Sequence, residues 1–107
     1  MTDTATIVDL RAPVETPADG IVSRAIYNDA DVRVVHFSFA AGQQLSDHTA
    51  AVPVTLEVVE GEATITVGDD VIEARAGTWM HLPGNTPHSV VATTPLVLLL
   101  TLLKRGA

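Results

Sequence analysis

The chain predicts an all-β, antiparallel, single-domain sandwich or barrel. Three observations carry that prediction: a size and apolar fraction suited to one core, a succession of short Val-, Ile- and Thr-rich runs, and turn signals only a few residues apart. There are 107 residues, 47% of them apolar and 18% charged. A domain of about 100 residues buries roughly two-thirds of the surface its unfolded chain exposes, enough for one core and not for two. The apolar fraction excludes a disordered chain, and no stretch is rich enough in Pro, Gly and Ser to be a long linker. Side chains branched at Cβ suit a pleated surface better than a helix.

Residues 1–20 mix Thr, Asp, Pro and Ala, punctuated by Pro13 and Pro17. They read as an extended N-terminal arm with room for one edge strand. From Ile21 the predicted strands are Ser23–Tyr27, Val32–Ala40, Val54–Glu60, Ala63–Val67, Asp70–Ala74, Thr78–Leu82, His88–Ala92 and Leu96–Leu103. Turns fall at Asn28-Asp29, Ala41-Gly42, Glu60-Gly61, Gly68-Asp69, Ala76-Gly77 and Pro83-Gly84. No window has a 3.6-residue period. Leu96–Leu103 has a helical composition, yet Pro95 and its shortness suit a buried strand equally well. The barrel therefore occupies residues 21–103, with 104–107 as a tail.

Two runs alternate cleanly. Ala63, Ile65 and Val67 are separated by Thr64 and Thr66, and Val52, Val54, Leu56 and Val58 by Pro53, Thr55 and Glu57. That is the period of a half-buried strand. The run Val34–Phe39 is instead apolar on both faces, so it belongs mid-sandwich or at a subunit contact. A homodimer is the expected assembly.

Composition excludes several functions. With no cysteine there is no disulfide framework, thiolate nucleophile or Cys-ligated metal site. Thirteen acidic residues against six basic ones give a formal charge of −7, and the basic residues are scattered, so nucleic acid is not an expected partner. Met1 to Leu10 lacks the basic and apolar regions of a signal peptide. Val90–Leu103 is broken by Ala92-Thr93-Thr94-Pro95 and Thr101, short of the ~18–20 apolar residues a spanning helix needs. A soluble cytoplasmic protein with no membrane partner is expected. There is also no Gly-rich phosphate loop and no nucleophile elbow.

The chemistry-bearing groups are four histidines, His36, His48, His81 and His88. Imidazole is the commonest metal ligand and an acid–base group near neutrality. A lone His in an apolar run, such as His36, is more often a hydrogen-bonded structural residue. His48 and His88 sit in recognisable frames. Gly42, five residues and His48, with Gly61 downstream, form one; Gly77, five residues, Pro83 and then His88 form the other.

These two stretches resemble the paired motifs of the cupin family, over about residues 21–103. The resemblance implies an antiparallel double-stranded β-helix, or jelly-roll, barrel that is commonly dimeric. The family's first motif carries His-x-His and then Glu; its second carries Pro-x-Gly, His and a final Asn. Here Ala50 stands at the second His, Val54 at the Glu, Asn85 at the Gly and Ala92 at the Asn. Of the four ligands the resemblance implies, His48 and His88 remain. Two imidazoles do not by themselves hold a catalytic divalent metal, which typically needs three protein ligands and an open position.

A third ligand could come from His81 or His36. If Pro83 opposes His88 across the intervening loop, His81 opposes Val90 and shares the face of His88. The opposite parity, with Met80 and Leu82 inward, puts His81 and Trp79 outside, and that parity is favoured. Val54 and Ala50 make the lumen more apolar and less able to stabilise a cation. A ligand pocket formed by His48, Ala50, Val54, Leu56 and His88 follows, with the imidazoles as polar anchors.

Three functions fit. The first is a barrel binding a small organic ligand without a tight metal. The second is a metal-dependent enzyme of dioxygenase, isomerase or decarboxylase type, with His48 and His88 on a divalent transition metal. The third is a structural or regulatory dimer with a filled pocket.

Overall fold

The computed structural model describes residues 4–105, which form nine strands and no helix. They are β1 (Ile21–Asn28), β2 (Val32–Phe39), β3 (Gln44–His48), β4 (Val54–Glu60), β5 (Glu62–Val67), β6 (Asp70–Arg75), β7 (Trp79–Leu82), β8 (His88–Ala92) and β9 (Leu96–Leu103). One sheet has the order β1-β2-β9-β4-β7 and the other β3-β8-β5-β6. Every pairing is antiparallel. The two sheets close as a jelly-roll barrel, the fold class that the short runs and the resemblance predict.

The core follows from alternation. Phe39 of β2, Leu96 and Leu98 of β9, and Val54, Leu56 and Val58 of β4 face Ala63 and Ile65 of β5 and Val90 and Ala92 of β8. Each fully buried Leu, Ile or Val contributes roughly 1.5–3 kcal/mol. Leu96–Leu103 is a strand because alternate leucines fill this interior while Val97, Leu99 and Thr101 face outward. Gly61 makes the β4–β5 corner possible. Its φ is +88°, and a Cβ there would lie 2.0 Å from the carbonyl oxygen of Pro95.

The structure adds to the sequence reading, or chooses between its alternatives, at three points. Gln44–His48 is a strand, β3, that sequence periodicity does not predict. Strands β7 and β8 do not form a hairpin: β7 pairs with β4, and β8 pairs with β3 and β5. The arm contains no strand within residues 4–20.

The arm instead packs against β2. The His36 Nε2 donates to the Leu10 carbonyl oxygen at 3.1 Å, the Thr16 and Ser38 hydroxyls lie 2.7 Å apart, and Arg11 pairs with Glu60 at 2.7 Å. The arm thus lies on the outer face of β2 at His36 and Ser38. A groove of about 490 Å³ between arm and sheet is lined by Pro13, Val14, Phe39 and Leu96, at the barrel end remote from His48 and His88. Among the described residues no helix is long and apolar enough to cross a membrane.

Candidate functional site

Strand register brings His48 and His88 together. They are direct partners across β3 and β8, and the row continues through Val67 of β5 to Asp70 of β6. In the other sheet Arg33, Leu102, Val54 and Leu82 form a row across β2, β9, β4 and β7. Residues 49–53 connect His48 to Val54, and residues 83–87 connect Leu82 to His88. Two short connections therefore hold these rows at the same end of the barrel.

The connections are also tied to each other. The Asn85 N–H donates to the Ala50 carbonyl oxygen at 2.7 Å. Gly84 packs so closely that a Cβ would lie 2.7 Å from the Ala51 carbonyl oxygen. Asn85 has φ +63°, the left-handed region that Asn enters more readily than most residues. Asn therefore meets the backbone requirement at the position where the resemblance places Gly.

His88 is 6% exposed, and its Nδ1 lies 3.1 Å from the Thr86 carbonyl oxygen. A carbonyl only accepts, so the hydrogen bond assigns the proton to Nδ1 in the neutral ring and leaves the Nε2 lone pair available. His48 is exposed at the end of β3. The two rings stand edge to face, 6.2 Å between centroids and 62° between planes.

The other residues of the predicted pocket are not equally accessible. Ala50 is half-buried and packs on the core, whereas Val54 and Leu56 are 2% and 3% exposed within it. Half-buried Leu45, Val67, Leu100 and Leu102 also pack against the core around this end, and none is a predicted pocket residue. Alternation along β9 was the available signal for the last two.

Neither candidate third ligand joins the pair. His36 has the opposite parity to Phe37 and Phe39 and is engaged with Leu10 beneath the arm. His81 is exposed, opposite Thr55, while Leu82 is buried and Met80 packs on the core. Outward-facing Trp79 and His81 follow the favoured parity. Among the described residues no group of three His, Cys, Asp or Glu side chains could hold a metal ion. Two imidazoles beside an alanine methyl and a valine isopropyl are not the donor set of a tightly held transition metal.

Comparisons with known proteins agree with the architecture. The sequence model of the cupin domain matches residues 35–102. An RmlC-like cupin protein from Desulfovibrio desulfuricans is 29% identical, with a TM-score of 0.87 over 94% of this chain and 98% of that one. A conserved Streptococcus pyogenes protein of unknown function is 24% identical, with a TM-score of 0.83 over 99% and 93% of the two chains. KdgF from a Halomonas species is 20% identical, with a TM-score of 0.77 over 96% of each chain. No curated protein matches the sequence. The family match over most of the chain, on a barrel that pairs His48 with His88 across adjacent strands, makes this chain a member of the cupin family.

Proposed function

We propose that this cupin binds a small organic ligand at the histidine end of its barrel, with His48 and His88 as polar anchors and without a tightly held metal. The observation that carries the reading is the His48–His88 pair, set among hydrocarbon where further metal donors would have to stand. The Nε2 of His88 would accept from a ligand hydroxyl, and His48 would meet a carbonyl or carboxylate through its own N–H. The apolar body of the ligand would lie against Ala50, Leu100 and Leu102, an arrangement of few polar groups in an apolar site.

Elemental analysis combined with thermal unfolding tests this. Protein produced with iron, manganese, nickel and zinc supplements should purify with far less than stoichiometric metal. A small carboxylate or phenol should raise its Tm by ligand linkage, and His88→Ala should abolish the rise. Near-stoichiometric metal that His48→Ala removes would favour the metal-dependent enzyme instead. A His48→Ala/His88→Ala protein as stable as the parent, with both inert to every ligand, would favour the filled, structural barrel.

We further propose a homodimer joined through the outer face of β9 and β7. With the arm lying on β2, the outward apolar side chains of the same sheet include those of β9 and β7, with Leu99 and Leu103 half-buried and Trp79 61% exposed. Sedimentation velocity should give a dimer that Trp79→Lys converts to monomer. A monomeric parent would end this part of the proposal.

A further inference from the structure

We infer that Arg33 is the anion anchor of the barrel mouth and that the ligand it selects is a small organic carboxylate. This inference rests on the histidine end being a ligand site. Arg33 is the second residue of β2 and shares the parity of Val35, Phe37 and Phe39. Val35 and Phe39 are buried, and Phe37 packs on the core, so this is the inward-facing set. Arg33 pairs with Leu102, which pairs in turn with Val54.

The topology fixes what it faces. Strand β6 leads to β7 through residues 76–78, and β2 leads to β3 through residues 40–43. Such short crossings set β7 against β6 along one side of the sandwich and β2 against β3 along the other. Arg33 therefore lies across the interior from His48, as Leu102 lies across from His88. Packed sheets are about 10 Å apart, a gap that a long guanidinium side chain from one and an imidazole from the other can close on a small anion.

Charge accounting singles out the same residue. Arg11 is paired with Glu60, Arg105 with Asp31, and Lys104 donates to the Asn28 side chain and the Asp29 carbonyl. Arg24 lies opposite His36 on the outer face, and Arg75 ends β6 opposite Glu62, away from the histidines. Arg33 is exposed, and its side chain makes no hydrogen bond or ion pair among the described residues. It is thus an uncommitted cation on the inward row of a chain whose net charge of −7 otherwise repels anions. The acidic residue of the facing row, Asp70, stands three strands from His48, about 14 Å at ordinary strand spacing. A carboxylate seated here takes paired N–H donors from the planar guanidinium and a third from His48, while its hydrocarbon part contacts Leu100 and Leu102.

Isothermal titration with hexanoate and benzoate, each against its amide, tests the inference. The parent should bind one or both acids at least about tenfold more tightly than the matching amide, in line with a hydrogen bond to a charged group. Arg33→Gln should erase that preference, while Arg75→Gln keeps it. Equal binding of acid and amide, a preference that survives Arg33→Gln, or equal loss in both arginine variants would overturn the role of Arg33. In those cases binding that still depends on His88 would leave the ligand-site reading standing. No binding of any of the four probes would overturn the carboxylate assignment, and with His88→Ala silent in thermal unfolding it would remove the site reading too.

Discussion

Leu10 and His36, 26 residues apart in the chain, are joined by a 3.1 Å hydrogen bond from the imidazole Nε2 to the backbone carbonyl oxygen. The ring is 2% exposed and the bond is partly buried, and it places a polar side chain from the sheet against the arm. Sequence reasoning left His36 open as a metal donor. Its parity makes it a fastener instead.

His36→Leu should therefore lower stability by about 1 kcal/mol, the consequence of a partly buried acceptor losing its donor. Hydrogen exchange of residues 10–16 should accelerate, while the affinity of any ligand at His48 and His88 stays unchanged. Unaltered exchange in the arm would mean that Arg11–Glu60 and Thr16–Ser38 hold it without help from the imidazole.

Rebuilding the donor set should convert the histidine end into a metal site. Val54 is buried between Leu102 and Leu82, so Val54→Glu alone places a carboxylate among hydrocarbon and should destabilise by about 3 kcal/mol or more. Adding Ala50→His supplies a further imidazole near His48. The double variant should bind cobalt with a visible absorption band and recover its Tm on adding zinc, while the parent does neither. A parent that takes cobalt as readily would show that hydrocarbon at these positions is not what determines metal affinity.

What the sequence revealed of the site divides along physical lines. Strand β4 was legible because Val54, Leu56 and Val58 alternate with polar neighbours and each finds the core. Strand β3 was not, because Gln44–His48 holds one apolar side chain, lies at a sheet edge and breaks register between Leu45 and His48. Its histidine was still recoverable, since motif spacing survives where periodicity fails. The loop at 83–87 has the length of a hairpin loop, yet its flanking strands belong to different sheets. Local sequence does not encode that crossing. Leu100, Leu102 and the row that aligns Arg33 with Leu102 and Val54 stayed hidden for the related reason that they depend on which strands pair, and at what register.

Asn85 offers a backbone test of the mouth. Its φ of +63° should make Asn85→Gly neutral to within about 0.5 kcal/mol, since glycine enters that region without strain. Asn85→Val should lower stability by about 1–3 kcal/mol, because a branched Cβ resists it. Ligand affinity should fall with Asn85→Val as well, since the Asn85 N–H to Ala50 carbonyl bond ties together the two connections that carry the site. Urea unfolding of the two variants reads the first effect. Loss of stability with Asn85→Gly comparable to that with Asn85→Val would assign the cost to the asparagine side chain rather than to the backbone.

The β1–β2 turn predicts an acid dependence. The Tyr27 hydroxyl donates to Oδ2 of Asp29 at 2.7 Å, and the Asp31 and Val32 N–H groups donate to Oδ1 at 2.7 and 2.9 Å. These bonds, that of Tyr27 foremost, hold the Asp29 carboxyl below its ordinary value. The folded chain then binds fewer protons at this group than the unfolded chain, so its contribution to stability is fully present above the unfolded value of about 3.9 and is lost as pH falls through the lower folded value. Asp29→Asn should be less stable than the parent at pH 7, and the difference should narrow on acidification below about pH 4. Asparagine keeps an acceptor oxygen for the turn, so any residual gap at low pH reports shape and hydrogen bonding rather than charge. A gap of the same size at pH 7 and pH 3 would show that ionisation of Asp29 contributes nothing to the turn.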